Sequence, residues 1–213
     1  MMSLGYPLFL FLLSLRGLGS LELEVDLSLK GTLEGRRGHL EKTFPRWGPN
    51  FHVGFDVRIK PKANWKGSGL HNILQLTTDK QATNNDFDSP SSRIPGVYLY
   101  PSNATKIAAY LVVQMEVKGT LHTEKYGLRG SKQNGSDYVQ VDIRQKYGAL
   151  KMTVDDQRVW SLTIGDQSFQ DVQFWLPSPF NLPASDVANI KNVVVVNEAR
   201  KKRSRFQNCN WLS

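Results

Sequence analysis

The sequence has a single cysteine, Cys209, close to its C-terminal end. An intramolecular disulfide is therefore excluded, and a stable core must come from apolar packing. Five Trp, ten Phe and seven Tyr supply bulky side chains for one, and residues 20–199 are numerous enough for a single β domain. A lone cysteine in a secreted chain is typical of pairing with another chain or of a reactive thiol, with an incidental tail residue as the alternative.

Long apolar runs are also missing, apart from residues 8–15, which read LFLFLLSL. A helix that crosses a membrane needs about 20 apolar residues, and Arg16 interrupts this run far earlier. A short apolar segment followed by Gly17 and Gly19 indicates a secretory signal peptide that is cleaved after Gly19. A buried N-terminal strand or helix is the alternative. We expect residues 1–19 to be removed and the mature protein to be secreted and extracellular, with no membrane span.

The body of the chain has little net positive charge. The net charge is +8, but Arg16 and five basic residues between positions 200 and 205 account for six of these charges, which leaves +2 for residues 20–199. A nearly neutral domain argues against a basic face that binds nucleic acid. The sequence therefore predicts a signal peptide over 1–19, a β domain over 20–199 and a basic tail over 200–213.

The tail carries a recognisable basic motif. The run Arg200-Lys-Lys-Arg203 followed by Ser204 resembles the sites that furin-like proprotein convertases cut, which places a candidate cleavage after Arg203. The same run could instead bind a polyanion such as heparan sulfate through Coulomb attraction. A solvated charge run without a function is the third interpretation, and the sequence leaves all three open.

Helical periodicity is absent over any stretch of ten or more residues. Apolar residues instead recur at every second position, most clearly over 21–29 and 51–59, which indicates strands with one face in a core and the other towards solvent or a ligand. Further candidate strands cover 71–78, 96–100, 108–114, 137–145, 150–155, 158–164, 169–176 and 190–196. The sequence predicts an all-β protein, a two-sheet antiparallel β-sandwich or jelly roll, with a closed barrel as the alternative.

The order of strands and aromatic residues carries a family resemblance. The aromatic strand 51–59 precedes the turn Asn64-Trp-Lys-Gly-Ser-Gly-Leu70, and the chain continues with Asn72-Ile-Leu-Gln-Leu-Thr-Thr78, Arg93-Ile-Pro-Gly-Val-Tyr98, Tyr138-Val-Gln-Val-Asp-Ile143 and Phe169-Gln-Asp-Val-Gln-Phe-Trp175. Over about residues 45 to 197 this pattern resembles the concanavalin A-like superfamily, specifically laminin G-like extracellular modules. The resemblance implies a curved jelly roll and a role in ligand binding, and it implies no particular ligand.

Two N-glycosylation sequons are present, Asn103-Ala-Thr105 and Asn134-Gly-Ser136. Both fall in predicted loops, and secretion would expose them to the modifying enzymes. An ordinary polar turn is the alternative at each position. We predict glycans at Asn103 and Asn134.

Candidate ligand-binding residues lie on one strand and in one turn. Gln140, Asp142 and Arg144 alternate along the strand 137–145, so they share a face and could form hydrogen bonds with sugar hydroxyls. Trp65 lies in the turn 62–69 and could stack on a sugar ring, with core packing as its alternative role.

The polar loop 79–92 contains candidate metal ligands. Asp79, Asp86 and Asp88 could offer hard oxygen ligands to Ca²⁺, and the resemblance to laminin G-like modules implies that such a rim can hold this ion. The spacing matches no EF-hand loop, and an ordinary polar loop is the alternative. Ca²⁺ is thus the one candidate cofactor.

Signs of catalysis are few. His39, His52, His71 and His122 are scattered without metal-ligand spacing, and the chain has no nucleophile elbow, phosphate loop or dinucleotide motif. Glycoside hydrolysis needs two carboxyl groups about 5 to 9.5 Å apart, and the segment Tyr138–Asp142 offers Asp142 as the single carboxylate on its face. We therefore expect no catalytic residues and a non-enzymatic lectin-like or laminin G-like module that binds an extracellular glycan or protein. A structural extracellular-matrix protein is the alternative, and a jelly-roll glycoside hydrolase is a weaker one.

Overall fold

The computed structural model describes residues 27–32, 38–61, 63–66, 69–78, 93–129, 138–177 and 182–198. These residues form thirteen β-strands and one 3₁₀ turn at Ala184–Asp186. In chain order the strands are β1 Leu27–Thr32, β2 Leu40–Trp47, β3 Asn50–Ile59, β4 His71–Thr77, β5 Gly96–Pro101, β6 Ile107–Val117, β7 Thr120–Arg129, β8 Val139–Lys146, β9 Ala149–Val154, β10 Gln157–Thr163, β11 Phe169–Trp175, β12 Leu182–Pro183 and β13 Ala188–Glu198.

The strands divide between two sheets. The six-stranded sheet has the order β1-β13-β3-β8-β9-β10, and the seven-stranded sheet has the order β2-β11-β4-β5-β6-β7, with the short β12 parallel to β4. All other pairings are antiparallel. The predicted two-sheet antiparallel β-sandwich, or jelly roll, is confirmed. The alternative prediction of a closed barrel was wrong, because the strands form two separate sheets.

Alternation along β3 explains how the core forms between the sheets. Phe51, Val53, Phe55 and Val57 are buried and belong to one apolar cluster, whereas the residues between them are turned to the outer face. A pleated strand sends successive side chains to opposite faces, and each large apolar side chain that is buried contributes about 1.5–3 kcal/mol. Strand β8 follows the same rule, with Val141 and Ile143 of that cluster alternating with polar residues.

Strand β4 departs from the expected one-sided burial, because all seven of its residues are buried. Its polar members are accommodated by hydrogen bonds: Asn72 Nδ2 donates to the carbonyl oxygens of Leu74 and Val97, at 3.1 and 3.4 Å. β4 lies between β11 and β5 in the interior of its sheet. Buried polar groups are tolerated where they find such partners, so a central strand can carry polar residues on a covered outer side.

Tight turns fix the register of the hairpins that follow β8. Tyr147 and Gly148 between β8 and β9, and Asp155 and Asp156 between β9 and β10, all have φ between 48° and 74°. Two-residue turns with positive φ at both positions match the twist of antiparallel strands. The register of β8 is thereby set from its C-terminal end. Among the described residues, no helix is both long enough and apolar enough to cross a membrane.

Candidate functional site

A histidine and a carboxylate form a pair on the outer face of the six-stranded sheet. His52 of β3 and Asp142 of β8 both alternate with core residues, so their side chains lie on the side away from the core. His52 Nε2 forms a short hydrogen bond with Asp142 Oδ1. The strand register pairs Gly54 with Asp142, so the imidazole reaches its partner diagonally across the two strands. The side chains remain 26% and 11% exposed, respectively, and the imidazole is therefore within reach of a ligand.

Gly54 provides the space that this pair occupies. A Cβ atom at position 54 would lie 3.1 Å from Asp142 Oδ1 and 3.1 Å from His52 Nε2. Such distances are shorter than ordinary van der Waals contact. A side chain at this point of β3 would therefore require the two polar groups to shift by a few tenths of an ångström.

Arg144 completes the group. Its Nη2 lies 3.5 Å from Asp142 Oδ2, while Nε2 of His52 is bonded to the other carboxylate oxygen. The hydrogen bond from His52 lowers the pKa of Asp142, and the charges of His52 and Arg144 lower this pKa further against the opposing effect of burial. Asp142 is thus a carboxylate at neutral pH, held between two cationic or proton-donating groups.

This arrangement suits proton transfer. A carboxylate bonded to one imidazole nitrogen fixes the orientation of the ring and stabilises the imidazolium that forms when the other nitrogen takes up a proton. In His52 that other nitrogen is Nδ1. The pair can therefore remove a proton from a bound molecule and return it.

The surrounding outer face is rich in cations. The strand register turns six basic side chains of β3, β8, β9, β10 and β13 to this side, namely Arg58, Arg144, Lys146, Lys151, Arg158 and Lys191; the acidic residues turned the same way on these strands are Asp56, Asp142 and Glu198. An excess of positive charge on one face attracts anionic ligands.

An aromatic ring lies on the same face. The Tyr138 ring has the Arg58 guanidinium carbon 5.0 Å and Lys191 Nζ 3.8 Å from its centroid. Cations at these distances are attracted by the ring. Two positive charges therefore lie at the ring of Tyr138, which precedes Asp142 by four residues and is on the same face.

A second polar cluster lies on the outer side of the seven-stranded sheet, around Tyr98. Burial raises the pKa of the Tyr98 phenol, and the nearby Arg93 charge opposes this rise. Tyr98 is 0% exposed and Arg93 is 2% exposed. A large ligand would not reach these groups as they stand, so the accessible His52–Asp142 pair is the better candidate site.

The structure brings three of the predicted ligand-binding residues together and separates the fourth. Gln140, Asp142 and Arg144 share one face of β8, as expected. Trp65 instead packs against the apolar core and meets the His71 ring edge-on, which corresponds to its alternative role. The part of all four residues in ligand binding stays a prediction.

The remaining predicted positions are mostly beyond the described residues. Asn103 is exposed in the loop between β5 and β6. The segments 1–19 and 200–213, which hold the predicted signal peptide and basic tail, lie outside the description, as do these predicted sites: Asn134, Asp79, Asp86, Asp88, Arg203, Ser204 and Cys209. Within the described ranges, no three or more His, Cys, Asp or Glu residues are grouped so that they could hold a metal ion.

Sequence reasoning missed His52 as a site residue. Its alternation within β3 placed it on the outer face, but its partner lies 90 residues away in the chain. The signal was the combination of a histidine, a glycine two positions later and a carboxylate on another strand. Only the register between β3 and β8 turns these three residues into neighbours.

Comparison with known proteins finds similarity among solved structures. No protein-family model matches the sequence, and no curated protein matches it either. Solved structures do match. An alginate lyase from Alteromonas sp. 272 has a TM-score of 0.43 and 13% identity over 72% of this chain and 75% of that one. The carbohydrate-binding module CBM66 from Bacillus subtilis has a TM-score of 0.39 and 13% identity over 79% and 92%. The botulinum neurotoxin type G receptor-binding domain has a TM-score of 0.48 and 11% identity over 81% and 47%.

These matches overturn one prediction from the sequence. Polysaccharide lyases recur among the solved structures, including several alginate lyases of polysaccharide lyase family 7 and a polysaccharide lyase of family 18. The prediction of a protein without enzymatic activity, a non-enzymatic lectin-like or laminin G-like module, was therefore wrong. At 13% identity or less the matches assign no reaction, so the chemistry has to be argued from the residues of this chain.

Proposed function

We propose that the protein cleaves an acidic polysaccharide that binds to the outer face of the six-stranded sheet. The observation that carries this proposal is the partly exposed imidazole of His52, which is hydrogen-bonded to Asp142. Arg144 lies next to this pair, on a face with excess positive charge. A polysaccharide of uronic acid units offers carboxylates to these cations. It also offers an acidic C–H bond next to each carboxylate.

The proposed reaction is a β-elimination. Arg144 pairs with the uronate carboxylate and makes the proton on the adjacent carbon easier to remove, because it stabilises the negative charge that develops. His52 takes that proton on Nδ1. The electron pair of the C–H bond forms a C=C bond, and the bond to the neighbouring sugar oxygen breaks. The leaving oxygen then receives the proton from the imidazolium, while Asp142 stays ionised throughout.

Elimination fits this group of residues better than hydrolysis does. Hydrolysis of a glycoside commonly uses two carboxyl groups, one as acid and one as base or nucleophile. Asp142 is engaged by both His52 and Arg144, so it is poorly placed to attack a sugar carbon. Elimination needs one group that transfers a proton and one cation beside the carboxylate, and this site offers both.

The cellular setting is part of the proposal. Removal of residues 1–19, secretion, and glycans at Asn103 and Asn134 remain predictions from the sequence, as does the laminin G-like kinship. They agree with a substrate outside the cell. Release of residues 204–213 after Arg203, or polyanion binding by the tail, would modify the protein without changing the chemistry of the site.

Incubation of the purified protein with polysaccharides tests the proposal. The probes are a polymer of uronic acid, a glycosaminoglycan that contains uronic acid, and a neutral β-glucan. Elimination creates a C=C bond conjugated with a carboxylate, which is followed by ultraviolet absorbance. We expect absorbance to rise with at least one acidic polymer and to stay flat with the neutral one.

Variants decide whether the site is responsible. His52→Ala and Arg144→Gln should abolish or strongly reduce the reaction. His39→Ala is the matched control, because His39 Nδ1 also contacts a carboxylate, Glu41 Oε1 at 3.1 Å, away from the site. Unchanged cleavage by His52→Ala, or no cleavage of any acidic polymer by the folded wild-type protein, would contradict the proposal.

A further inference from the structure

The hairpin of β5 and β6 presents two tyrosines side by side. Tyr100 and Tyr110 are direct partners in the strand register, one residue pair beyond Leu99 and Leu111. Both leucines belong to the core, so both tyrosines lie on the outer side of the seven-stranded sheet. Each tyrosine is half-buried. Together they form an aromatic surface, the Tyr100–Tyr110 pair, next to the loop that joins the strands.

That loop contains the sequon Asn103-Ala104-Thr105. Asn103 and Thr105 are exposed, and Asn103 follows Tyr100 by three residues. The loop has a defined shape: the Ala104 backbone N–H donates to Ser102 Oγ at 3.1 Å, and the Ile107 N–H donates to the Ala104 carbonyl at 3.1 Å. A modification at Asn103 would therefore start in a loop of defined shape, three residues after Tyr100.

Sugar and tyrosine surfaces suit each other chemically. One face of a pyranose ring presents C–H groups, and an aromatic face is apolar with negative partial charge, so the two stack. Between Tyr100 and Asn103 lie only Pro101 and Ser102, which keeps the tether between ring and sugar short.

We infer that Asn103 carries an N-linked glycan whose first N-acetylglucosamine stacks on the Tyr100–Tyr110 pair and stabilises the β5–β6 hairpin. The inference is independent of the proposed reaction, because it concerns the other sheet. It assigns to the sequon a structural role in the folded protein in addition to a modification.

The experiment compares glycosylated protein from animal cells with variants. Intact mass first establishes occupancy at Asn103. Thr105→Ala and Asn103→Gln both remove the sequon, and each should lower Tm by about 2–4 °C, the shift that a packing contact of ordinary size gives in a domain of this length. Trimming the glycan to its first sugar should leave Tm unchanged, because that sugar makes the contact.

The aromatic ring is tested by combination. In a Tyr100→Thr background, loss of the sequon should no longer change Tm, whereas in a Tyr100→Phe background the 2–4 °C shift should persist. Asn134→Gln is the matched control, because it removes the other sequon and should not depend on position 100. An unmodified Asn103 in secreted protein would overturn the inference. So would an equal loss of Tm on sequon removal in the Tyr100→Thr and wild-type backgrounds.

Discussion

The imidazole of His71 meets the indole of Trp65 edge-on, with ring centroids 5.1 Å apart and an angle of 89° between the planes. His71 Nδ1 lies 3.4 Å from the Pro183 carbonyl oxygen, to which it donates. Through these two contacts, His71 connects Trp65 in the segment before β4 with Pro183 of the parallel strand β12. Lys66 and Asp186, which form an ion pair at 3.2 Å, are the charged groups that act on this histidine.

The burial of His71 makes the free energy of unfolding depend on pH. Burial lowers the pKa of His71, and this outweighs the Pro183 hydrogen bond and the Asp186 charge, which raise it. The unfolded chain then binds a proton at higher pH than the folded protein does, so stability is complete above the ordinary value of 6.5 and falls as pH drops below it. His71→Gln should reduce the dependence of the unfolding free energy on pH between 7 and 5.5. The exposed His39→Ala should keep the wild-type slope in denaturant titrations.

Gly54→Ala tests the space that the His52–Asp142 pair occupies. The new methyl group would lie 3.1 Å from both polar atoms, and we expect overpacking to lower the unfolding free energy by about 1–3 kcal/mol. It should also bring the pKa of Asp142 back towards its ordinary value, because the His52 hydrogen bond is its largest cause of lowering. Gly69→Ala is the control, since a Cβ there meets Leu182 at an ordinary 3.4 Å. Equal stability of the two variants would contradict this account of Gly54.

Asp142→Asn separates the orientation of His52 from its presence. If Asp142 positions the imidazole and stabilises its protonated form, cleavage of an acidic polysaccharide should fall by about 10²–10⁴-fold. The wild-type protein should also lose stability as pH falls below about 3.9, because the pKa of Asp142 is lowered by folding. In Asp142→Asn this acid-dependent part should be missing. Asp171 is exposed on β11 in the other sheet, so Asp171→Asn is the matched control and should leave cleavage unchanged.

Among the described residues, Trp47 is the largest wholly buried side chain, so we expect its replacement to lower the free energy of unfolding strongly. Its ring packs against Phe44 and Phe51, at centroid distances of 4.9 and 5.1 Å. Trp47→Ala should destabilise the protein by about 3–5 kcal/mol. Trp47→Phe should cost clearly less, because an aromatic ring would still fill part of the space between its neighbours. Chemical denaturation measures both, and similar losses for the two variants would argue against ring packing as the main contribution.

The fold could be predicted because periodicity is a local property. In β3 every second residue is apolar, and the predicted strands 137–145 and 158–164 agree with β8 and β10 to within two residues at each end. The burial of β4 on both sides could not be predicted in this way. It depends on what covers the outer side of the sheet, which a single strand does not encode.

The site was only half predictable for the same reason. Asp142 and Arg144 are two residues apart, so alternation alone put them on one face. His52 lies next to them because β3 pairs with β8, which is far away in the chain. Trp65 lies elsewhere, because its ring packs against the core and His71. Site residues close together in the sequence could therefore be predicted from alternation, whereas a partner 90 residues away could not.

The strand order has a consequence for the integrity of the chain. If the chain is divided between β7 and β8, the six-stranded sheet alternates between the two pieces: β1 and β3 come from the first, and β13 and β8 from the second. In the other sheet, β11 of the second piece lies between β2 and β4 of the first. A protein nicked there would have its halves interlaced through both layers, so the cut pieces should hold together as a complementing pair until the whole sandwich is denatured.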